Sequence, residues 1–225
     1  MRQGQGSRRL GDPRRAQSFA DAVLAITITL LVLNLLPPRF PPGGLLRGLL
    51  GQWPAYLAYL ASYLYVAVVW LNHKAAFRRL RYMNRGLHWA NQTILFFTAL
   101  LPLATTVLAN ALGSGNRTDE QTALGLYALV GMLLAGSWLV FDQYVSRHPE
   151  LIAEDVAADF FATERYRALV GVVLYAVGGA LGTLVATPIA LVVFLVLPLF
   201  YAVTDEGLYV YPAARHPRSL PHDRW

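Results

Sequence analysis

Long uncharged, apolar stretches restrict what this chain can fold into more than any other feature of the sequence. No charged residue falls between Asp21 and Arg39. A helix that crosses the hydrocarbon core of a bilayer needs about 20 mostly apolar residues. Six stretches meet that requirement: Phe19–Leu36, Trp53–Asn72, Trp89–Leu112, Thr122–Phe141, Ala168–Val185 and Thr187–Val203. The sequence therefore predicts an all-α integral membrane protein with six transmembrane helices.

The last two predicted helices form one continuous apolar tract, which we divide at Thr187-Pro188. Proline removes a backbone donor and restricts the conformation of the residue before it. A helix boundary is therefore expected at this dipeptide.

The composition agrees with a membrane protein and excludes several other classes. Of the 225 residues, 56% are hydrophobic and 14% are charged, whereas average soluble domains are about 25% charged. This excludes a disordered chain and an ordinary water-soluble domain. The chain has no cysteine, so it has no disulfide framework, thiolate nucleophile or cysteine-ligated metal.

The distribution of basic residues predicts the orientation of the chain. Lysine and arginine favour the cytoplasmic side of a membrane. With six spans and a cytoplasmic N-terminus, all but three of the 19 basic residues lie on that side, the exceptions being Arg39, Arg47 and Arg117. Both termini are therefore expected in the cytoplasm, and the net charge of +6 is explained without a nucleic-acid partner.

The six helices fill almost the whole chain, so no separate soluble domain is expected. We predict a basic N-terminal tail at residues 1–14, a six-helix transmembrane domain at residues 15–204 and a C-terminal tail at residues 205–225. The apolar run after the basic lead is a full membrane span, so we do not interpret it as a cleaved signal. For the acidic segment Ser146–Arg167 we expect an amphipathic helix, with a solvated connector as the alternative.

One face of the first helix carries a row of branched apolar residues. At 100° per residue, Ile26, Leu30 and Leu33 lie with Thr29 within an arc of roughly 100°, and we call these four residues the aliphatic stripe. Thr27 and Asp21 point away from the centre of this face. By itself such a stripe usually indicates packing inside a protein.

Asp21 is a carboxylate just inside the predicted membrane. Such a group is costly in hydrocarbon and suggests a functional site with a partner nearby, although an interfacial aspartate stabilised by the helix dipole is the alternative. Candidate partners at the same depth are Arg15, Trp70, Asn72, His73, His88 and Asn91. His73 is favoured over His88, because the spacing Trp70-x-x-His73 places an indole and an imidazole on one helix face.

The first helix resembles the signature of the transmembrane protein 175 potassium-channel family, in its single-repeat prokaryotic branch. That signature is Arg-x-x-x-Phe-Ser-Asp, followed by an apolar run that ends in Thr-Leu-Leu-Val-Leu. Its matches here are Arg15, Phe19, Asp21, Ile26 and Thr29-Leu30-Leu31-Val32-Leu33, with looser matches at Trp70, His73, Asn91 and Leu100-Leu101-Pro102. One departure matters, because Ala20 replaces the serine of the motif.

The resemblance implies a homotetramer whose four first helices line a central pore, in the cell membrane and in contact with lipid. Ile26, Leu30 and Leu33 would form the apolar constriction, with Thr29 as a hydroxyl layer. Arg15, Asp21, Trp70, His73 and Asn91, which we call the anchoring residues, would hold the pore helix in place. No cofactor is expected, and K⁺ is the permeant ion.

The expected activity is passive, moderately selective conduction of K⁺ through an apolar ring that can dewet. A proton- or ion-coupled secondary transporter is the alternative, and it predicts acids near the middle of the membrane and broken helices in repeated halves. The charges within or at the edge of the predicted spans, Asp21 and Asp142, lie near the cytoplasmic edge instead. An intramembrane enzyme is not expected, because no convergent catalytic or metal-ligand cluster is visible.

Overall fold

The computed structural model of the chain describes residues 11–33, 35, 37–38, 40–154, 156 and 160–204. These residues form eight α-helices: α1 Pro13–Leu33, α2 Leu45–Gly51, α3 Trp53–Arg78, α4 Arg85–Ala99, α5 Leu101–Ser114, α6 Arg117–Ser146, α7 Phe160–Leu184 and α8 Thr187–Thr204. A single 3₁₀ turn follows α6 at Pro149–Leu151. The prediction of an all-helical protein is confirmed for this part of the chain. The two predicted tails lie largely outside the described residues.

Five helical segments are long and apolar enough to cross a membrane: α1, α3, the paired α4 and α5 (Arg85–Ser114), α6 and α7. The break between α4 and α5 comes at Leu100, two residues before Pro102. Proline has no N–H and clashes with the carbonyl four residues earlier. The third predicted span, Trp89–Leu112, is therefore divided into two consecutive helices.

The apolar helix α8 is shorter than these five segments. It begins at Thr187, and α7 ends at Leu184, so the predicted boundary at Thr187-Pro188 is confirmed.

The helices extend beyond the apolar stretches that predict them. Helix α3 continues past Asn72 to Arg78, and α6 spans Arg117–Ser146 rather than Thr122–Phe141. The N-terminus of α6 is capped by Asn116, whose side chain accepts hydrogen bonds from the N–H groups of Thr118 and Asp119. Such caps satisfy donors that a helix end leaves unpaired, and they start a helix in polar sequence outside the membrane.

Short backbone pairings join the connecting segments at one end of the bundle, which we call the basic end because Lys74, Arg78 and Arg85 lie there. Gly11 and Met83 form one antiparallel bridge, and Leu80 and Ile152 form another.

The second bridge corrects the prediction of an amphipathic helix within Ser146–Arg167. Leu151 is fully buried, its carbonyl accepts the N–H of Arg81 at 2.8 Å, and Ala153 N–H donates to Arg79 O at 2.9 Å. The segment Leu151–Ala153 therefore bonds to the neighbouring loop, and the helical residues at the end of the connector, from Phe160 onwards, belong to α7. Residues 155 and 157–159 lie outside the described residues.

Buried hydroxyl groups join the helices in the interior. Ser62 of α3 bonds to the hydroxyls of Thr105 on α5 at 2.6 Å and Tyr127 on α6 at 2.9 Å. Tyr65 donates to the carbonyl of Gly131 at 3.2 Å. Such bonds between membrane helices contribute about 0.6 kcal/mol each on average. They fix which faces of α3, α5 and α6 meet.

Two glycines on α7, Gly178 and Gly182, allow very close helix contacts. An added Cβ would lie 2.7 Å from Val193 at Gly178 and 2.3 Å from the Cβ of Ala190 at Gly182. Both neighbours belong to α8. The glycine pair is therefore the seam through which the short α8 attaches to α7.

We predict that Gly182→Ala lowers the thermal unfolding midpoint, because the new methyl group overlaps the Cβ of Ala190. Overpacking of this kind costs about 1–3 kcal/mol, and about 2–4 °C is lost per kcal/mol in a chain of this size. The measurement is thermal unfolding of detergent-purified protein. The matched control is Gly136→Ala on α6, where nothing lies within 4 Å of an added Cβ. An equal loss in both variants would contradict the assignment of this seam.

Candidate pore-lining face and its anchoring residues

The first helix is fixed at its start by local sequence. Pro13 is its first residue, and the Oδ1 of Asp12 accepts the N–H of Arg14 at 2.9 Å. Both features are typical of helix N-termini. Gly11 N–H donates to Met83 O at 2.7 Å, and Met83 N–H donates to Gly11 O at 2.9 Å. The start of α1 is therefore bonded to the loop between α3 and α4.

One face of α1 packs inside the subunit. Its residues recur at helical spacing, and none is more than 8% exposed: Ala16, Ala20, Leu24, Thr27 and Leu31. This face contacts α3, α4 and α5. Ala16 and Ala20 let the backbones approach closely at the basic end, and we call the five residues the packed seam of α1.

The opposite face of α1 is left open, and it contains the aliphatic stripe. Ile26 is 58% exposed, Leu30 44% and Leu33 69%, and Thr29 is also exposed. Only 22% of the most apolar window of α1 is buried, compared with 33–56% in the other four spans. The stripe is therefore not used for packing within this subunit.

The Thr29 hydroxyl donates to the carbonyl of Ile26, one turn earlier, at 2.8 Å. The hydroxyl hydrogen is thus used within the helix. The oxygen lone pairs remain free to accept a hydrogen bond or to contact a cation.

Asp21 lies at the edge of the open face and connects α1 to α3. The indole Nε1 of Trp70 donates to its Oδ1 at 3.0 Å. The ammonium of Lys74 lies 5.0 Å from the centre of the same indole ring, within the range of a cation–π contact. Asp21 therefore accepts a hydrogen bond from the Trp70 indole, and Lys74 contacts the ring of that indole.

His73 connects α3 to α4. Its Nε2 lies 2.8 Å from Asn91 Oδ1, its ring stacks on Phe77 with centroids 4.1 Å apart, and it is fully buried. Its Nδ1 has no hydrogen-bond partner in the described part of the chain. A bond to the amide oxygen places a proton on Nε2, and in the neutral ring this leaves a lone pair on Nδ1.

Comparison with known proteins identifies the family. The family model of the endosomal/lysosomal potassium channel TMEM175 matches residues 15–102. A potassium channel of Streptomyces collinus is 31% identical over 195 residues, which are 85% of this chain and 92% of the relative. The chain belongs to the TMEM175 family. Its family is one of ion channels and not of enzymes, and the chain is a multi-pass membrane protein of the single-repeat prokaryotic branch.

A solved structure agrees with this fold. The crystal structure of a lysosomal potassium-selective channel TMEM175 homologue from Chamaesiphon minutus superposes with a TM-score of 0.74 at 26% identity, and the match covers 88% of this chain and 98% of that one. The human endosomal/lysosomal proton channel TMEM175 is 32% identical over 99 residues, which are 40% of this chain and 20% of the human protein.

The segment that the TMEM175 family model matches, residues 15–102, contains all of the predicted site residues. The structure brings Asp21 to Trp70 and His73 to Asn91. Arg15 is exposed on the same side of α1 as the aliphatic stripe, and it makes no hydrogen bond or ion pair with the described residues. The anchoring residues therefore form two separate pairs within one subunit, with Arg15 outside both.

The structure also gives a reason why alanine is tolerated where the TMEM175 motif has serine. Ala20 is fully buried in the packed seam, so the position requires a small side chain. A serine there is similar in size to alanine. Its hydroxyl can bond to a carbonyl within its own helix, as those of Ser18 and Thr27 do.

The sequence did not determine the role of Asp142, near the end of α6. It is 3% exposed, which excludes a solvated interfacial acid. Together with Asn72 and Trp138 it lines a cavity of about 40 Å³ at the basic end, away from Asp21. Among the described residues, no group of three His, Cys, Asp or Glu could hold a metal.

We predict that Trp70 and Asp21 stabilise the fold as a coupled pair. In a double-mutant cycle of Trp70→Phe and Asp21→Ala, the coupling energy should be about 0.5–2 kcal/mol, because each single change removes the same hydrogen bond. The measurement is the free energy of unfolding in mixed micelles. The control pairs Asp21→Ala with Trp89→Phe, because Trp89 is 65% exposed. Equal coupling in the two cycles would contradict the pairing.

Proposed function

We propose that the chain forms a homotetrameric, moderately K⁺-selective channel of the cell membrane, in which four copies of α1 surround the pore. Residues 15–204 would form the channel domain, with α8 as the sixth span and both termini in the cytoplasm. Ions would pass without coupling to a second gradient. No cofactor is needed, and K⁺, lipid and the other subunits are the partners.

The single observation that carries this proposal is the open aliphatic stripe on the least buried span. One amphipathic face cannot enclose a water path. Four symmetry-related copies can, and Ile26, Leu30 and Leu33 then become stacked apolar rings. Their spacing along the helix is about 4–6 Å at 1.5 Å per residue. An ion would therefore meet the rings one after another.

The choice of potassium rests on named relatives. Potassium channels of Streptomyces collinus and Chryseobacterium sp. are each 31% identical to this chain, and the match covers 92% and 65% of their lengths. The vertebrate TMEM175 proteins are named as proton channels. Proton flux is therefore measured alongside K⁺ flux in the experiment below.

An apolar ring restricts ions in two ways. When narrow it excludes water, which closes the path to ions by dewetting. When dilated it admits an ion that has lost part of its hydration shell, and K⁺ loses water at a lower cost than Na⁺. The lone pairs on four Thr29 hydroxyls would replace part of that shell. A single layer of this kind supports moderate selectivity.

The two hydrogen-bonded pairs at the basic end, Asp21–Trp70 and His73–Asn91, support a pore in which α1 is held at one rotation about its own axis. Asp21 ties α1 to α3 through Trp70, and His73 ties α3 to α4 through Asn91. Because these bonds lie away from the centre of the open face, they hold the stripe towards the axis without contacting the ion.

We predict that the purified protein is a tetramer and carries K⁺ into liposomes without valinomycin. The stoichiometry is read by native mass spectrometry. Under a K⁺ gradient, K⁺ flux is read with a K⁺-sensitive dye inside the vesicles, and proton flux is read separately with a pH dye. Flux in the absence of any coupling-ion gradient supports a channel. Flux that requires such a gradient would overturn the proposal in favour of a coupled transporter. A monomeric or dimeric protein would contradict the proposed pore, which needs four copies of α1.

We predict that Ile26→Ala and Ile26→Asn raise conductance or leak and reduce discrimination between K⁺ and Na⁺. Each change widens or wets the proposed ring. The measurement is the reversal potential under bi-ionic conditions. The control is Val173→Ala on α7, a residue 50% exposed on a helix outside the proposed pore. Unchanged currents and reversal potentials in both Ile26 variants would count decisively against the constriction.

A further inference from the structure

A cavity of about 520 Å³ opens at the end of the bundle opposite the basic end, where α5 and α6 meet α7 and α8. Its mouth includes Trp53 at the start of α3, Arg117 and Glu120 in the first turn of α6, and Thr187 at the start of α8. The indole of Trp53 is 54% exposed. Tryptophan at a helix end is typical of the membrane–water interface, so this mouth lies at headgroup depth.

A second cavity, of about 110 Å³, lies deeper along the same helices and is lined almost entirely by apolar side chains. It shares Leu191 with the mouth. Its lining residues Leu57 and Leu108 lie one turn further into the membrane than Trp53 and Leu112 of the mouth. The two cavities adjoin at Leu191, and we treat them together as one groove with a polar mouth and an apolar shaft.

The mouth carries one charge of each sign. Arg117 is exposed and has no hydrogen-bond or ion-pair partner in the described part of the chain. The carboxylate of Glu120 accepts one hydrogen bond, from the Thr187 hydroxyl at 3.0 Å, and a carboxylate has room for more. The mouth thus offers a free guanidinium and a carboxylate with spare acceptors on the same helix turn.

We propose that this groove binds a phospholipid with an ethanolamine headgroup. Its phosphate would bond to Arg117, its ammonium to Glu120 and one acyl chain would occupy the shaft. A headgroup that carries a phosphate and no ammonium could bond to Arg117, but the negative charge of Glu120 would repel it. A trimethylated ammonium has no N–H to donate to that carboxylate. The pair of opposite charges therefore selects the zwitterionic headgroup that can donate hydrogen bonds.

The bound lipid would add to the bonds that already join α6, α7 and α8 at this end, such as that from the Thr187 hydroxyl to Glu120. The groove is lined by residues of α3, α5, α6, α7 and α8, and within it Gln121 of α6 donates to the carbonyl of Thr183 on α7 at 2.7 Å. The lipid would fill the space between the start of α8 and the end of α5. This inference does not depend on the proposed pore.

The test is native mass spectrometry of the delipidated full-length protein with phosphatidylethanolamine, phosphatidylglycerol and phosphatidylcholine of equal chain length. The wild type should bind the ethanolamine lipid about tenfold more tightly than the other two, as expected for one lost charge-assisted hydrogen bond. Arg117→Gln should weaken all three lipids. Glu120→Gln, which can still accept from Thr187, should remove only the preference for ethanolamine.

Matched controls lie on the same side of the membrane. Arg47→Gln on α2 and Asp119→Asn on α6 change charges that do not line the groove, and they should leave lipid binding unaltered. Leu191→Phe should fill the shaft and weaken all three lipids.

Three results would overturn the proposal. The first is equal binding of the three lipids by the wild type, a readout that needs no variant to fold. The second is loss of binding in the controls as large as that in Arg117→Gln. The third is disulfide crosslinking between subunits through Leu191→Cys, which would show that a second copy covers the groove.

Discussion

The packed seam of α1 determines the rest of the proposed site, because it fixes how α1 is rotated about its own axis. Ala16 and Ala20 are the smallest side chains on the helix face that meets α3, α4 and α5. A rotation by one residue, about 100°, would move Ala20 out of the seam and bring Asp21 or bulkier side chains into it. Burying a charge or overpacking the seam costs several kcal/mol. The aliphatic stripe faces outwards because the opposite face can pack in only one way.

The tethers on α1 are concentrated at one end. At the basic end, backbone bonds join Gly11 to Met83, and Trp70 holds Asp21. Among the described residues near Leu33, the backbone bond from Leu35 N–H to Val32 O stays within the same segment and joins α1 to no other helix. A helix end that few tertiary hydrogen bonds hold in place unfolds locally at a lower free-energy cost than an anchored helix end. In the proposed pore, Asp21 therefore marks the end of α1 that is fixed by these bonds.

Apolar run length predicted the five membrane-length segments, and proline predicted the boundary at Thr187-Pro188, because both act locally. The break before Pro102 was not predicted. The ends of the helices were not predictable in this way. Helices α3 and α6 continue through polar sequence to Arg78 and Ser146, and the segment Leu151–Ala153 follows a 3₁₀ turn and pairs with another loop. For the site, helical geometry placed Ile26, Leu30 and Leu33 on one face from sequence alone. Which polar side chains meet depends on the relative rotation of three helices. Coordinates were therefore required to show that Asp21 bonds to Trp70, whereas the favoured candidate His73 bonds to Asn91.

The hydroxyl groups of α1 limit how strongly the proposed pore can hold an ion. Ser18 donates to Arg14 O, Thr27 to Val23 O and Thr29 to Ile26 O, at 3.0, 2.9 and 2.8 Å. Each hydroxyl hydrogen is therefore used within the helix, and of the three only Thr29 belongs to the aliphatic stripe. Four layers of carbonyl oxygens can replace most of a hydration shell, whereas one layer of hydroxyl oxygens between hydrocarbon rings replaces a small part of it. Discrimination must then rest mainly on the cost of removing water from each ion. A ring that discriminates in this way loses selectivity as it widens, so in the proposed pore the diameter at Ile26 controls both the gate and the preference for K⁺.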